Sequence, residues 1–129
     1  MKKNKRILVT GGAGFVGTNL IKFLLKKTNY KIISIDNYTS GTKLNHIKSS
    51  RVRYLRGDTM NISKLIKKPN QIETIFHFGE FARIYQSFLK MDQCIFSNSV
   101  GSNAIFNFCL KNKIKLIYSA TSASLGNTG

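Results

Sequence analysis

The stretch TGGAGFVG, residues 10–17, holds four glycines in eight positions and follows directly on the apolar run Ile7-Leu8-Val9. Glycine loses more backbone freedom on folding than any other residue, so a cluster of this density has a specific use. It makes a sharp turn, or it lets something approach the backbone where a Cβ would be in the way. Beyond it, Phe15, Val16, Leu20, Phe23 and Leu24 recur at helical spacing. That pattern ends at Lys26-Lys27-Thr28-Asn29, with positive charge where a helix dipole favours it.

The same reading continues along the chain. Residues 5–9 pass from polar to solidly apolar, as a buried parallel strand does. Residues 31–36 form a second strand, and 37–50 a polar loop with a short helix around 43–47. A short third strand spans 52–56. Residues 61–67 give one or two helical turns ended by Pro69. Residues 72–78 are a fourth strand, and 83–111 are largely helical in two pieces broken near Met91-Asp92. Residues 114–119 are a fifth strand, and 120–129 are small and polar. Strands alternating with helices predict an α/β fold: a doubly wound parallel sheet of about five strands with helices on both faces. The 129 residues show no internal repeat or linker and read as one domain.

Composition narrows the function classes. The apolar run behind the basic N-terminus is three residues long, against the about 7 to 15 of a secretory signal. No run approaches the about 18 residues that span a membrane, so the expectation is a cytoplasmic protein without a membrane partner. Cys94 and Cys109 stand 15 apart, match no metal-ligand spacing and read as reduced thiols; no metal site is expected. Lysine and arginine number 21 against 5 acidic residues, a net charge of +16. The basic residues are scattered, and the abundance of Lys, Asn and Ile with a single Pro and no Trp matches coding bias. Nucleic acid is therefore the less favoured partner, kept open as a basic binding module; a basic surface also attracts phosphorylated substrates.

The glycines fit two overlapping patterns, GxGxxG from Gly12 to Gly17 and GxxGxxG over Gly11, Gly14 and Gly17. Between a strand and a helix, either pattern points to dinucleotide binding. The first glycines permit the turn, Gly14 lets a pyrophosphate reach the backbone, and Gly17 lets the helix pack closely on the sheet. Amides at the helix start face the phosphates. Such a site wants a carboxylate about 20 residues further on, at the end of the second strand, to accept from ribose hydroxyls. Asp36 stands 19 residues after Gly17, at that strand end. A carboxylate there repels a 2′-phosphate, which favours NAD over NADP.

In these residues the chain resembles the N-terminal part of the extended short-chain dehydrogenase/reductase family, the NAD-dependent nucleotide-sugar epimerases and dehydratases. TGGAGFVG is similar to the family's glycine motif, which implies cofactor contacts from Gly11, Gly14, Phe15, Val16 and Gly17. The segment from Asp36 and Asn37 to Ser40 and Gly41 resembles the part that wraps the adenosine. Gly57-Asp58-Thr59 resembles the segment after the third strand, where the Asp meets the adenine amino group; Asp58 can equally cap the following helix. Phe76-His77-Phe78-Gly79 resembles the end of strand four, which implies cofactor contacts from Phe78 and Gly79. His77 itself reads as a strand-end histidine packed under the loop. Asn98, in Asn98-Ser99-Val100-Gly101, either stitches helix to loop or touches the cofactor. In relatives that long helix often pairs with a partner's, which implies a homodimer.

The segment 117–126 resembles the family's strand five, and the resemblance places Thr121 at the hydroxyl position that hydrogen-bonds the sugar oxygen, with Ser122 next in register. Dehydratases of the family carry Asp-Glu after that hydroxyl. Here Ser122-Ala123 follow, which favours epimerisation or simple oxidoreduction. Glu80 and Phe81 depart from the usual small or polar residues, and Leu125 from an aromatic. The family's catalytic Tyr-x-x-x-Lys is not found: Tyr30, Tyr38, Tyr54, Tyr85 and Tyr118 are followed four residues on by Ser34, Thr42, Asp58, Leu89 and Ser122. The expectation is thus the cofactor-binding part of an epimerase acting on a nucleotide sugar, inactive by itself and without its C-terminal substrate lobe. A complete, non-catalytic NAD-binding protein is the alternative.

Overall fold

The computed structural model describes residues 5–121 and Gly126. Five parallel strands, β1 (Arg6–Thr10), β2 (Lys31–Asp36), β3 (Val52–Arg56), β4 (Ile72–His77) and β5 (Lys115–Tyr118), form one sheet in the order β3-β2-β1-β4-β5. The order reverses at β1, which starts the chain and ends in the middle of the sheet. The cleft outside that switch point is where α/β sheets of this kind hold ligands. Helix α1 (Phe15–Lys27) connects β1 to β2. The short α2 (Ile62–Leu65) precedes β4, and α3 (Ile84–Leu89), α4 (Met91–Ile95) and α5 (Ser102–Asn112) lead from β4 to β5. The doubly wound sheet expected from the sequence is the observed fold.

Strand β1 shows why the sheet has helices on both faces. Ile7 and Val9 join Ile21, Leu24 and Ile32 on the α1 side. Leu8 points the other way, with Ile33, Ile35, Ile75, Ile105 and Phe108. A strand buried on both faces needs apolar side chains at every position. In β4, Ile72 and Ile75 share a face although they differ in parity. The register explains it: Arg6 pairs with Ile72 and Ile7 with Thr74, so Glu73 is an extra residue in a bulge. Its carboxylate accepts from Tyr30 Oη at 2.7 Å.

Helix α1 ends as the lysines foretold, but its terminus is held by another segment. Thr28 returns its amide (2.9 Å) and hydroxyl (2.7 Å) to Leu24 O. Arg51, just before β3, donates to Thr28 O at 2.6 Å and to Leu25 O. The side of α1 that meets the sheet carries Gly17, Thr18, Ile21 and Leu24. Phe15 (83% exposed), Val16 and Phe23 face solvent, which corrects the apolar face assigned from spacing alone. The helical stretch expected over 61–67 is shorter, and Pro69 opens a 3₁₀ turn rather than closing a helix. The break in the long helical region falls at Lys90, and residues Phe96–Gly101 are π-helical. No helix among the described residues is long and apolar enough to cross a membrane.

Cys94 and Cys109 are free thiols, and burial pushes the Cys109 thiol up to about 11. His77 ends β4 fully buried, with Nδ1 2.6 Å from Thr10 Oγ1 and Nε2 2.8 Å from Ser102 Oγ. Burial pushes its pKa below the ordinary 6.5, and the Glu80 carboxylate only partly opposes this.

Ile105→Ala removes a fully buried side chain and is expected to cost about 2–5 kcal/mol in urea unfolding. Leu110→Ala on the exposed face of α5 should stay within about 0.5 kcal/mol. Below the unfolded-state pKa of 6.5 the unfolded chain takes up a proton that the folded His77 resists, so the unfolded state binds more protons and stability falls as pH falls. Unfolding free energy measured from pH 7.5 to 5.5 should decline by up to about 1.4 kcal/mol per unit, and His77→Gln should flatten that slope.

Candidate functional site

The glycine turn is built by contacts that only bare backbone can make. Gly11 sits at φ +68°, and a Cβ there would lie 2.6 Å from Phe78 O. Its amide donates to Ile35 O at 2.8 Å, tying the turn to β2. A Cβ on Gly17 would lie 2.3 Å from Gly11 O, and one on Gly12 2.1 Å from Ser34 Oγ. The division of labour thus differs from expectation: Gly17 packs α1 onto the turn, and Gly12 is the residue pressed on the sheet. A Cβ on Gly14 would meet only Gly11 O, at 3.3 Å, so this backbone edge stays open to the cleft. Gly14 also caps α1 with no side-chain hydrogen bond, and the first turn holds no acidic residue. The first-turn amides and the dipole are therefore left for an outside anion.

Asp36 ends β2 almost fully buried. Its Oδ2 accepts from Ala13 N at 2.9 Å and its Oδ1 from Tyr38 N at 2.8 Å. Each oxygen keeps a further lone pair, and the residue lines the cleft. The loop beyond it folds back on the turn. Thr42 N (3.3 Å) and Asn45 Nδ2 (2.8 Å) both donate to Ala13 O, and a Cβ on Gly41 would lie 3.0 Å from Ala13. Tyr38 adopts φ +63°, a left-handed conformation that costs about 1–2 kcal/mol outside glycine. Bonds offset it: the amide to Asp36, and the hydroxyl 2.9 Å from His46 Nε2, whose ring stacks on Tyr54. Asn37 donates to Asp58 Oδ1 at 2.8 Å, so the Asp58 carboxylate is turned to Asn37 and makes no cap bond to the helical turn behind it. Thr59 is buried beneath Gly101, whose Cβ would lie 2.2 Å from its hydroxyl.

On the β4 side, Thr10 Oγ1 accepts from Phe78 N at 3.1 Å and Gly79 N at 3.0 Å, fixing the start of the loop. The π-helical segment then holds the loop from outside. Ser97 Oγ donates to Gly79 O at 3.2 Å, and Asn98 brackets Phe81, accepting its N–H at 2.6 Å and donating to its O at 2.9 Å. Of the two roles open to Asn98, stitching helix to loop is the one its geometry performs.

These elements enclose a cleft of about 390 Å³. Gly11, Gly14, Asp36, Asn37 and Ser40 line one part of it, Asp58 and Thr59 a second, Phe78 and Gly79 a third. Gly17 and Gly41 lie behind that surface, and Asn98 lies behind the loop. Phe15 and Val16 point their side chains to solvent and can offer the cleft only backbone. Thr121 is exposed three residues beyond β5, and Ser122 lies outside the described residues. Sequence reasoning left out Met60, Gln93, Phe96 and Ser97, which also line the cleft. Glu80 and Phe81 do too; they had stood out only as departures from a motif.

The model of the NAD dependent epimerase/dehydratase family matches residues 7–129. The ADP-L-glycero-D-manno-heptose-6-epimerase of Brachyspira hyodysenteriae is 30% identical over 124 residues, 94% of this chain and 38% of that protein. The solved UDP-N-acetylglucosamine 4-epimerase of Methanobrevibacter ruminantium, in complex with UDP-N-acetylmuramic acid, is 28% identical with a TM-score of 0.83, covering 98% of this chain and 41% of its own. The Bordetella bronchiseptica enzyme WbmH, solved with NAD+, shares the fold at 19% identity and a TM-score of 0.82, over 97% of this chain and 41% of its own. The chain spans about two-fifths of the length of the relatives it matches. On the family model's match across nearly all its residues, this chain belongs to the NAD dependent epimerase/dehydratase family.

Proposed function

We propose that the cleft binds NAD and that the chain supplies the cofactor-binding part of a nucleotide-sugar epimerase. The observation that carries this reading is the pairing of the open Gly14 edge and uncapped α1 with a carboxylate fixed one strand away. Gly14 and the amides of Phe15 and Val16 would hold the pyrophosphate, and Asp36 would accept from the adenosine ribose. Asn37, Ser40, Asp58 and Thr59 would border the adenine side, and Phe78 and Gly79 the other half. Bound NAD supplies hydride acceptance and return at a sugar carbon. Thr121 would hydrogen-bond the sugar oxygen, with Ser122 in reserve. Ser122-Ala123, in place of a carboxylate pair, favour epimerisation over dehydration. The 129 residues hold no tyrosine with a lysine four residues on, so NAD binding without turnover of a nucleotide sugar is the expected behaviour of this chain. The exposed Ile95 and Phe106, on the long helical region that carries Asn98, are the face a second copy would cover in a homodimer.

Calorimetric titration with NAD+ is expected to give one site. Asp36→Ala should weaken it at least about ten-fold, the loss of hydrogen bonds to a charged acceptor. NADP should bind more weakly than NAD+ to the parent chain. Equal binding of the two, or an unchanged Asp36→Ala, would contradict the reading. In sedimentation, a dimer should revert to monomer in Ile95→Glu, and a monomeric parent chain would remove the dimer from the proposal.

A further inference from the structure

Glu80 departs from the small or polar residues of the resembled motif, and the proposed function leaves it unused. It lines the β4 side of the cleft, and two hydroxyl groups donate to one of its oxygens. Thr10 Oγ1 already accepts two amides, so its own proton goes to His77 Nδ1 at 2.6 Å. His77 Nε2 then carries the ring proton and donates to Ser102 Oγ at 2.8 Å. Ser102 donates in turn to Glu80 Oε1 at 2.5 Å, and Tyr118 Oη donates to the same oxygen at 3.0 Å. Every proton in the chain points toward Glu80, which ends it as an accepting carboxylate. His77, neutral in this arrangement, offers no compensating charge from 3.9 Å. Among the described residues no lysine or arginine forms an ion pair with Glu80.

We propose that Glu80 sets the redox preference of the site, stabilising the oxidised, cationic nicotinamide over the reduced, neutral ring. This rests on the NAD reading. If Asp36 holds the adenosine end at β2, a dinucleotide laid across the strand ends passes β1 and reaches β4, about 10 Å away at two strand spacings. Glu80 stands there, anchored to β1 through Thr10 and His77 and to β5 through Tyr118. Gain of a hydride, two electrons with one proton from a sugar carbon, would remove the ring's positive charge and with it the attraction to Glu80, and its return would restore both. A fixed carboxylate would thus favour the oxidised form of the bound cofactor.

The test measures dissociation constants of the full chain for NAD+ and for NADH, with no turnover involved. In Glu80→Gln the ratio Kd(NAD+)/Kd(NADH) should rise about three- to ten-fold, the effect of one screened charge several ångströms away, while the NADH value changes less than about two-fold. Glu80→Ala, which places a small residue there, is the second variant and should show the same rise. Tyr118→Phe keeps the carboxylate and should keep the ratio. If both constants rise by one factor in the Glu80 variants, the side chain grips a part common to both forms and the proposal is wrong. If NAD+ and NADH both fail to bind the parent chain, the NAD reading falls and this proposal with it.

Discussion

The backbone of Gly17 rests on the carbonyl of Gly11 with no room for a side chain between them, since a Cβ would lie 2.3 Å from that oxygen. The rest of the site depends on this contact. It brings the first turn of α1 onto the end of β1, so helix amides open into the cleft. It also sets the turn so that Ala13 N meets Asp36 at 2.9 Å, joining the turn to β2. A larger residue at Gly17 would lift the helix off the turn and change both at once.

The two halves of the cleft are stiffened in different ways. On the β2–β3 side, short polar side chains bond one another and the loop backbone, and a left-handed Tyr38 is held by a stacked His46. On the β4–β5 side, a buried histidine organises a directed run of hydrogen bonds from Thr10 to Glu80. Thr10 belongs to both: it ends β1 just before the glycine turn, and its hydroxyl fixes the Phe78-Gly79 backbone. Buried polar groups are tolerable only when satisfied, and Thr10, His77 and Ser102 each find partners in this run.

The parts legible in the sequence were those set by backbone constraint. Four glycines after an apolar strand left little freedom in what could follow, and the spacing to Asp36 located the second strand end. Helix faces were harder to read. Phe15, Val16 and Phe23 keep helical spacing, yet the sheet takes Gly17, Thr18, Ile21 and Leu24 because close approach to the turn needs small residues at the front of the helix. The π-helical segment Phe96–Gly101 adds a residue to its turn, so a 3.6-residue period misplaces which side chains face the loop. Glu80 was visible as a departure, but its significance needed partners from β1, α5 and β5, which no local pattern reveals.

The most direct test of the account is an amide NMR titration of the chain with NAD+. A ligand laid across the strand ends predicts the largest shift changes at Ala13 to Val16, at Asp36 and Asn37, and at Phe78 to Glu80. Changes confined to the basic outer surface of α1, around Lys22 and Lys26, would mean that NAD+ is held by charge alone and would contradict the cleft as its site.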